Sequence, residues 1–129
     1  MNIIKVGNKK MTIKLKRIYD APAEDDGYRV LVDKLWPRGV KKSPNLMNYW
    51  AKEITPTDEM RKTFHADMEN NWDAFRKSYK KMLEHSEALD SLIQSWRAAG
   101  YSTVTLLYAS KAPKNHALIL KDVIEKKLG

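Results

Sequence analysis

The chain has 129 residues, enough for one core-bearing domain and too few for two. It contains no cysteine, which excludes disulfides, thiolate nucleophiles and thiolate-held metal centres, and no apolar run approaches the roughly 20 residues that span a bilayer. It carries 24 Lys and Arg against 16 Asp and Glu, a net charge of +8.

The positive surplus is uneven: residues 1–42 hold 11 basic and 5 acidic side chains. Such a segment attracts nucleic acid, an acidic partner or a phosphorylated small molecule, or it serves solubility alone. An apolar content of 43% with four Trp predicts a packed globule. The absence of thiols fits a reducing compartment. The first residues lack the apolar stretch and small-residue cleavage site of a secretory signal, so a cytoplasmic location is expected.

Residues 1–11 read as a basic N-terminal extension. From Thr12 to Ile18, apolar and basic residues alternate as in a half-buried strand. Ala21 to Gly27 carry turn chemistry, with Pro22 early and Asp26-Gly27 late. Tyr28 to Val32 form the strongest strand, a continuous apolar run that predicts cover on both faces. Trp36-Pro37 follows, and Lys41 to Pro44 form a loop.

Helical patterns then dominate. Thr55-Pro56-Thr57-Asp58 reads as an N-cap at Thr55, a proline in the first turn and an acid behind it. Trp72, Phe75, Tyr79 and Leu83 share one helical face. Leu89, Leu92, Ile93 and Trp96 mark another helix, stopped at Gly100. Thr103 to Tyr108 is a strand, and Ala117 to Leu128 a closing helix with Asn115 as its cap. This order predicts an α/β fold over residues 12–129: a single small three-layer domain with a short, mostly parallel central sheet flanked by helices. Tyr28–Asp33 and Thr103–Tyr108, joined through helices, are expected to run parallel. The short link between the first two strands allows either a hairpin or a parallel pair.

Ligands of open α/β sheets bind beyond the carboxyl ends of the strands. One such end delivers Asp33, Trp36, Arg38 and Gly39; the other delivers Tyr108, Ser110, Lys111, Asn115 and His116. If the strands are neighbours, these loops share one crevice. Arg38 can hold an anion bidentately and Lys111 as a point charge. Trp36 or Tyr108 can stack on a flat ligand, and Asp33 or His116 can move a proton. Each residue also has a purely structural reading. Asp33 either accepts backbone N–H groups or pairs with Arg38 or Arg29, Trp36 anchors packing, and Asn115 caps a helix. No nucleotide-binding glycine motif, nucleophile elbow or metal-ligating histidine spacing occurs, so neither a metal nor a cofactor is expected.

The segment Tyr28-Arg-Val-Leu-Val-Asp-Lys-Leu-Trp-Pro-Arg-Gly39 recurs with Lys42, Trp50, Thr55-Pro56, Arg61, Phe64, Trp72, Phe75, Tyr79, Val104 to Tyr108, and Asn115-His116-Ala117. In this order the chain resembles the YeaO-like branch of the domain of unknown function 488 family, over roughly residues 12–128. The resemblance implies a three-layer α/β domain of small, mostly bacterial, cytoplasmic proteins without an assigned reaction. It carries the family's motifs onto Arg17, Tyr19, Arg29, Asp33, Trp36, Pro37, Arg38 and Gly39, then Tyr108, Lys111, Asn115 and His116. Two departures stand out. Lys34 stands where relatives often carry Arg, and Ala112-Pro113 stands where they carry an acid. His65-Ala66-Asp67 fits the family's His-Asp pattern only with a shift.

The expected function is that of a small protein binding or acting on a phosphate- or carboxylate-bearing ligand. Asp33 and His116 are the candidate catalytic groups. Arg29, Trp36, Arg38, Tyr108, Lys111 and Asn115 are the candidate ligand contacts. The alternatives are a nucleic-acid-associated basic module and a protein–protein interaction role; no membrane association is expected.

Overall fold

Val30, Leu31 and Val32 are wholly buried. Consecutive aliphatic residues reach that state in a strand only when both faces of the sheet are covered. The computed structural model describes residues 10–129 and provides that cover. Strands β1 (Thr12–Arg17), β2 (Tyr28–Leu31), β3 (Tyr49–Trp50) and β4 (Thr103–Tyr108) form one sheet in the order β1-β4-β2-β3, with every neighbouring pair parallel. Helices α1 (Asp58–Ala66), α2 (Met68–Glu84), α3 (Glu87–Ala99) and α4 (His116–Leu128) complete the expected α/β fold. The predicted basic extension lies, for residues 1–9, outside the described residues. Met11 packs against the core.

The short link between the first two strands makes neither of the two pairings open to it. β1 and β2 are parallel, but β4 lies between them. The link crosses the sheet and closes through Glu24–Asp26, a single 3₁₀ turn. Gly27 is required at its exit. Its φ is +63°, and a Cβ there would meet the Thr103 carbonyl oxygen at 2.3 Å. Thr105 Oγ1 donates to the Asp26 carbonyl at 2.6 Å, tying the link to β4.

Side-chain alternation sorts the core into two parts. Ile13, Val30, Val32, Val104 and Leu106 face the helices and meet Phe75, Tyr79, Leu83, Ile93 and Trp96. Ile18, Leu31 and Leu107 face the other way and are covered by Trp36, Val40, Leu46 and Met47. The three layers are therefore helices, sheet and irregular chain, because residues 36–48 return across the sheet without a helix. This passage ends in β3, which the sequence did not predict. β3 holds the edge through Asn48 N–H to Arg29 O at 2.7 Å and Ala51 N–H to Leu31 O at 2.8 Å.

The helix ends follow local chemistry, with one correction. Thr57, not Thr55, caps α1: its hydroxyl accepts Met60 N–H at 3.1 Å. Thr55 instead donates to Lys52 O at 2.7 Å, closing the 3₁₀ turn Lys52–Ile54 that claims it first. Ser86 caps α3, Asn115 caps α4, and Gly100 ends α3 in the left-handed region at φ +77°. Among the described residues, no helix is long and apolar enough to cross a membrane.

Candidate functional site

Because β2 and β4 are parallel neighbours, their carboxyl ends lie side by side. The chain leaving β2 at Val32 and the chain leaving β4 at Ala109 diverge around a crevice of about 310 Å³. Asp33, Lys34, Leu35, Trp36, Pro37 and Arg38 line one side. Ala109, Ser110, Asn115 and His116 line another, and α1 with the start of α2 contributes Arg61, Phe64, His65, Met68 and Phe75.

Asp33 sits at the joint of these parts. Its Oδ2 accepts the Ala109 N–H at 2.9 Å, and its Oδ1 lies 3.1 Å from His116 Nε2. The same Nε2 is 2.8 Å from the Val32 carbonyl oxygen. A carbonyl only accepts, so Nε2 carries a proton. The Val32 carbonyl thereby orients His116 beside Asp33, and both side chains are mostly sheltered from water. Only Oδ2 is engaged by a hydrogen bond; Oδ1 is buried without a hydrogen-bond partner among the described residues, and the carboxylate does not pair with Arg38 or Arg29.

Trp36 is both anchor and wall. Its Nε1 donates to Val40 O at 2.7 Å and its ring stands edge-on to Trp50 at 5.3 Å, while the ring also lines the crevice. Arg38 is exposed, and its guanidinium has no ion-pair partner among the described residues. Only its backbone is engaged, where the Tyr19 hydroxyl donates to Arg38 O at 3.0 Å. Asn115 lines the crevice but uses its side chain as a cap, accepting Ala117 N–H at 2.9 Å and donating to Ala112 O at 2.9 Å.

Three of the expected contacts are elsewhere. Arg29 alternates onto the opposite face of the sheet, where its Nη1 meets Asp26 Oδ2 at 2.5 Å and its Nε donates to Leu46 O at 2.8 Å. Burial by itself pushes the Asp26 carboxyl up, but the Ala23 N–H, the Lys16 ammonium and the Arg29 guanidinium together hold it below the ordinary 3.8. Tyr108 packs against the helix-side core. Lys111 is exposed and does not line the crevice. Parity along the strand decides Arg29: Val30 and Val32 point to the helices, so Arg29 and Leu31 cannot.

The crevice residues not expected as ligand contacts are Lys34 and side chains of α1. Lys34 Nζ and Arg61 Nη1 both approach Asp58 Oδ1, at 2.9 and 3.5 Å. The Lys34 ammonium holds the Asp58 carboxyl below its ordinary value. Phe64 stacks on Phe75 with centroids 4.4 Å apart. One signal was available: Arg61 and Phe64 stand three residues apart on one face of α1. Nothing local says that this face closes a crevice.

The loop after β4 carries no carboxylate. Ala112 occupies that place and only its backbone is used, donating to Ser110 Oγ at 3.1 Å and accepting from Asn115. The family model described as the inactive DUF488-N3 subclade matches residues 12–129. The uncharacterised protein YeaO of Escherichia coli (strain K12) is 42% identical over 113 residues, covering 87% of this chain and 96% of that protein. Uncharacterised proteins of Mycobacterium bovis and Mycobacterium tuberculosis are each 33% identical over 113 residues, covering 87% of this chain and 92% of theirs. No solved structure matches the chain. With a family model that spans nearly every described residue and a relative this similar along its whole length, the chain belongs to the YeaO-like branch of the DUF488 family.

Proposed function

We propose that residues 12–129 act as one unit in the cytoplasm, binding a small phosphate- or carboxylate-bearing ligand in the crevice beyond the β2 and β4 carboxyl ends. One observation carries the reading: Arg38 stands in the wall of a sizeable cavity with its guanidinium unpaired among the described residues, beside Lys34 and Arg61. A guanidinium offers five fixed donors that match a phosphate or carboxylate. The Asp33 carboxylate lines the same crevice but makes no ion pair with it. Asp33 and His116 lie side by side at the base of the site. The subclade's description as inactive, and the missing carboxylate after β4, support retention of the ligand over its turnover.

The nucleic-acid reading is less favoured. Lys14 and Lys16, two of the basic residues it needs, hold Asp25 and Asp26 at 3.1 and 3.0 Å. The test is thermal melting of the wild type and Arg38→Ala against phosphates, nucleotides, carboxylates and short oligonucleotides. A small anion that raises the Tm of the wild type but not of the variant supports the proposal. Stabilisation by oligonucleotides alone, falling steeply with salt and indifferent to Arg38, would replace it with the nucleic-acid module. Silence from every anion would end the anion reading.

A further inference from the structure

We infer, resting on the anion-binding reading of this crevice, that its ligand is amphipathic: a phosphate or carboxylate carried on a flat apolar ring. The charged group meets Arg38, Lys34 and Arg61 at the mouth, and the ring meets Phe64 and Phe75 on the floor.

The first support is that the positive charge sits at the mouth and the phenyl rings lie deeper. Phe64 and Phe75 line the cavity and are only 5% and 6% exposed, their rings nearly parallel. The Lys34 and Arg61 side chains are about a third exposed, at 35% and 32%, and Arg38 is more open still. The cations thus lie at the opening, and the sheltered lining combines the Phe64 and Phe75 rings with Asp33, Asn115 and His116.

The second support is independent. Among the described residues only four large hydrophobic side chains are exposed, and Tyr19, Leu35 and Met68 are three of them. All three line this cavity. Scattered exposed apolar residues need no explanation, but their collection at one mouth marks a surface that an apolar body covers.

Size agrees. A cavity of about 310 Å³ has room for ~10 waters at ~30 Å³ each and falls at the small end of ligand pockets. A bare inorganic anion would fill only a part of it and leave water against the phenyl faces, a wasteful arrangement. The cations Lys34, Arg38 and Arg61 stand against Asp33 and Asp58, a surplus of one positive charge among these five side chains, which suits a single anionic group.

The experiment is calorimetric titration of the full chain with phenyl phosphate, benzoate, glycerol phosphate, inorganic phosphate and phenol. Phenyl phosphate is expected to bind about tenfold or more tightly than inorganic phosphate or glycerol phosphate. Arg38→Gln should abolish that binding. Leu35→Ser, at an exposed loop position that leaves the fold intact, should weaken phenyl phosphate about threefold and leave inorganic phosphate unchanged. Equal affinity for phenyl phosphate and inorganic phosphate would overturn the amphipathic ligand and leave the anion site standing. Phenol binding as well as phenyl phosphate would overturn both, as would the absence of any binding.

Discussion

The Asp33 carboxylate accepts the backbone N–H of Ala109 at 2.9 Å, across 76 residues of sequence. It joins the carboxyl ends of β2 and β4 at the point where the chains part to form the crevice. Its second oxygen lies 3.1 Å from His116 Nε2 at the start of α4 and has no hydrogen-bond partner among the described residues. The carboxylate therefore shapes the site before it can serve any ligand.

Asp33→Ala should lower stability by about 1–3 kcal/mol, because it strands the Ala109 N–H. Asp33→Asn retains an acceptor of the same shape and should cost less. Urea denaturation of both variants measures the order. A fully stable Asp33→Ala would show that the joint is held by packing alone.

Arg38→Ala should fold and melt within about 0.5 kcal/mol of the wild type, since the guanidinium is exposed and the Tyr19 hydroxyl bonds to the main chain, which the substitution keeps. Anion binding should be lost. Loss of binding with unchanged stability separates a ligand contact from a structural ion pair, and a large drop in stability would point to a structural role.

Acid should unfold the protein partly through Asp26. The folded state holds this carboxyl below 3.8, so it binds its proton less readily folded than unfolded. The resulting stabilisation is complete above the unfolded value and disappears as the pH falls through the folded one. Asp26→Asn removes one partner of a buried ion pair and should cost about 3 kcal/mol at neutral pH, with a shallower loss of Tm below about pH 4 than the wild type shows. Melting curves between about pH 2 and pH 7 test both statements.

Gly27→Ala should be the most damaging glycine substitution. It combines a left-handed φ with a Cβ placed 2.3 Å from Thr103 O, against a backbone that cannot yield. A loss of more than about 2 kcal/mol is expected. Gly39→Ala has a similar φ of +77° but open space around it, and should cost about 1 kcal/mol. Chemical denaturation of the pair separates collision from backbone strain.

Much of the fold was legible because it is written locally. Trp72, Phe75, Tyr79 and Leu83 share one face of α2, Gly100 adopts the left-handed turn, and Asn115 bonds to the N–H two residues on. Each depends on backbone geometry within one or two turns. The unbroken apolar run at the end of Tyr28–Val32 likewise implied two covered faces, and both are covered. The site was half legible for the same reason. Asp33, Trp36, Arg38, Asn115 and His116 follow strand ends that sequence can locate, and the crevice forms between them.

What remained hidden depends on partners far along the chain. β3 is only two residues long and exists because Asn48 and Ala51 meet β2. Lys34, Arg61, Phe64 and Met68 join the crevice only because α1 and α2 pack over the end of the sheet. By itself, the sequence determined periodicity, caps and the chemical character of the strand ends, since these rest on interactions between near neighbours. Tertiary structure alone decided that β4 enters between β1 and β2, that Arg29 turns to Asp26 and that Arg38 is left facing the cavity. The physical reason is that a strand's neighbours and a side chain's partner are chosen by burying the whole apolar surface at once, which no local window contains.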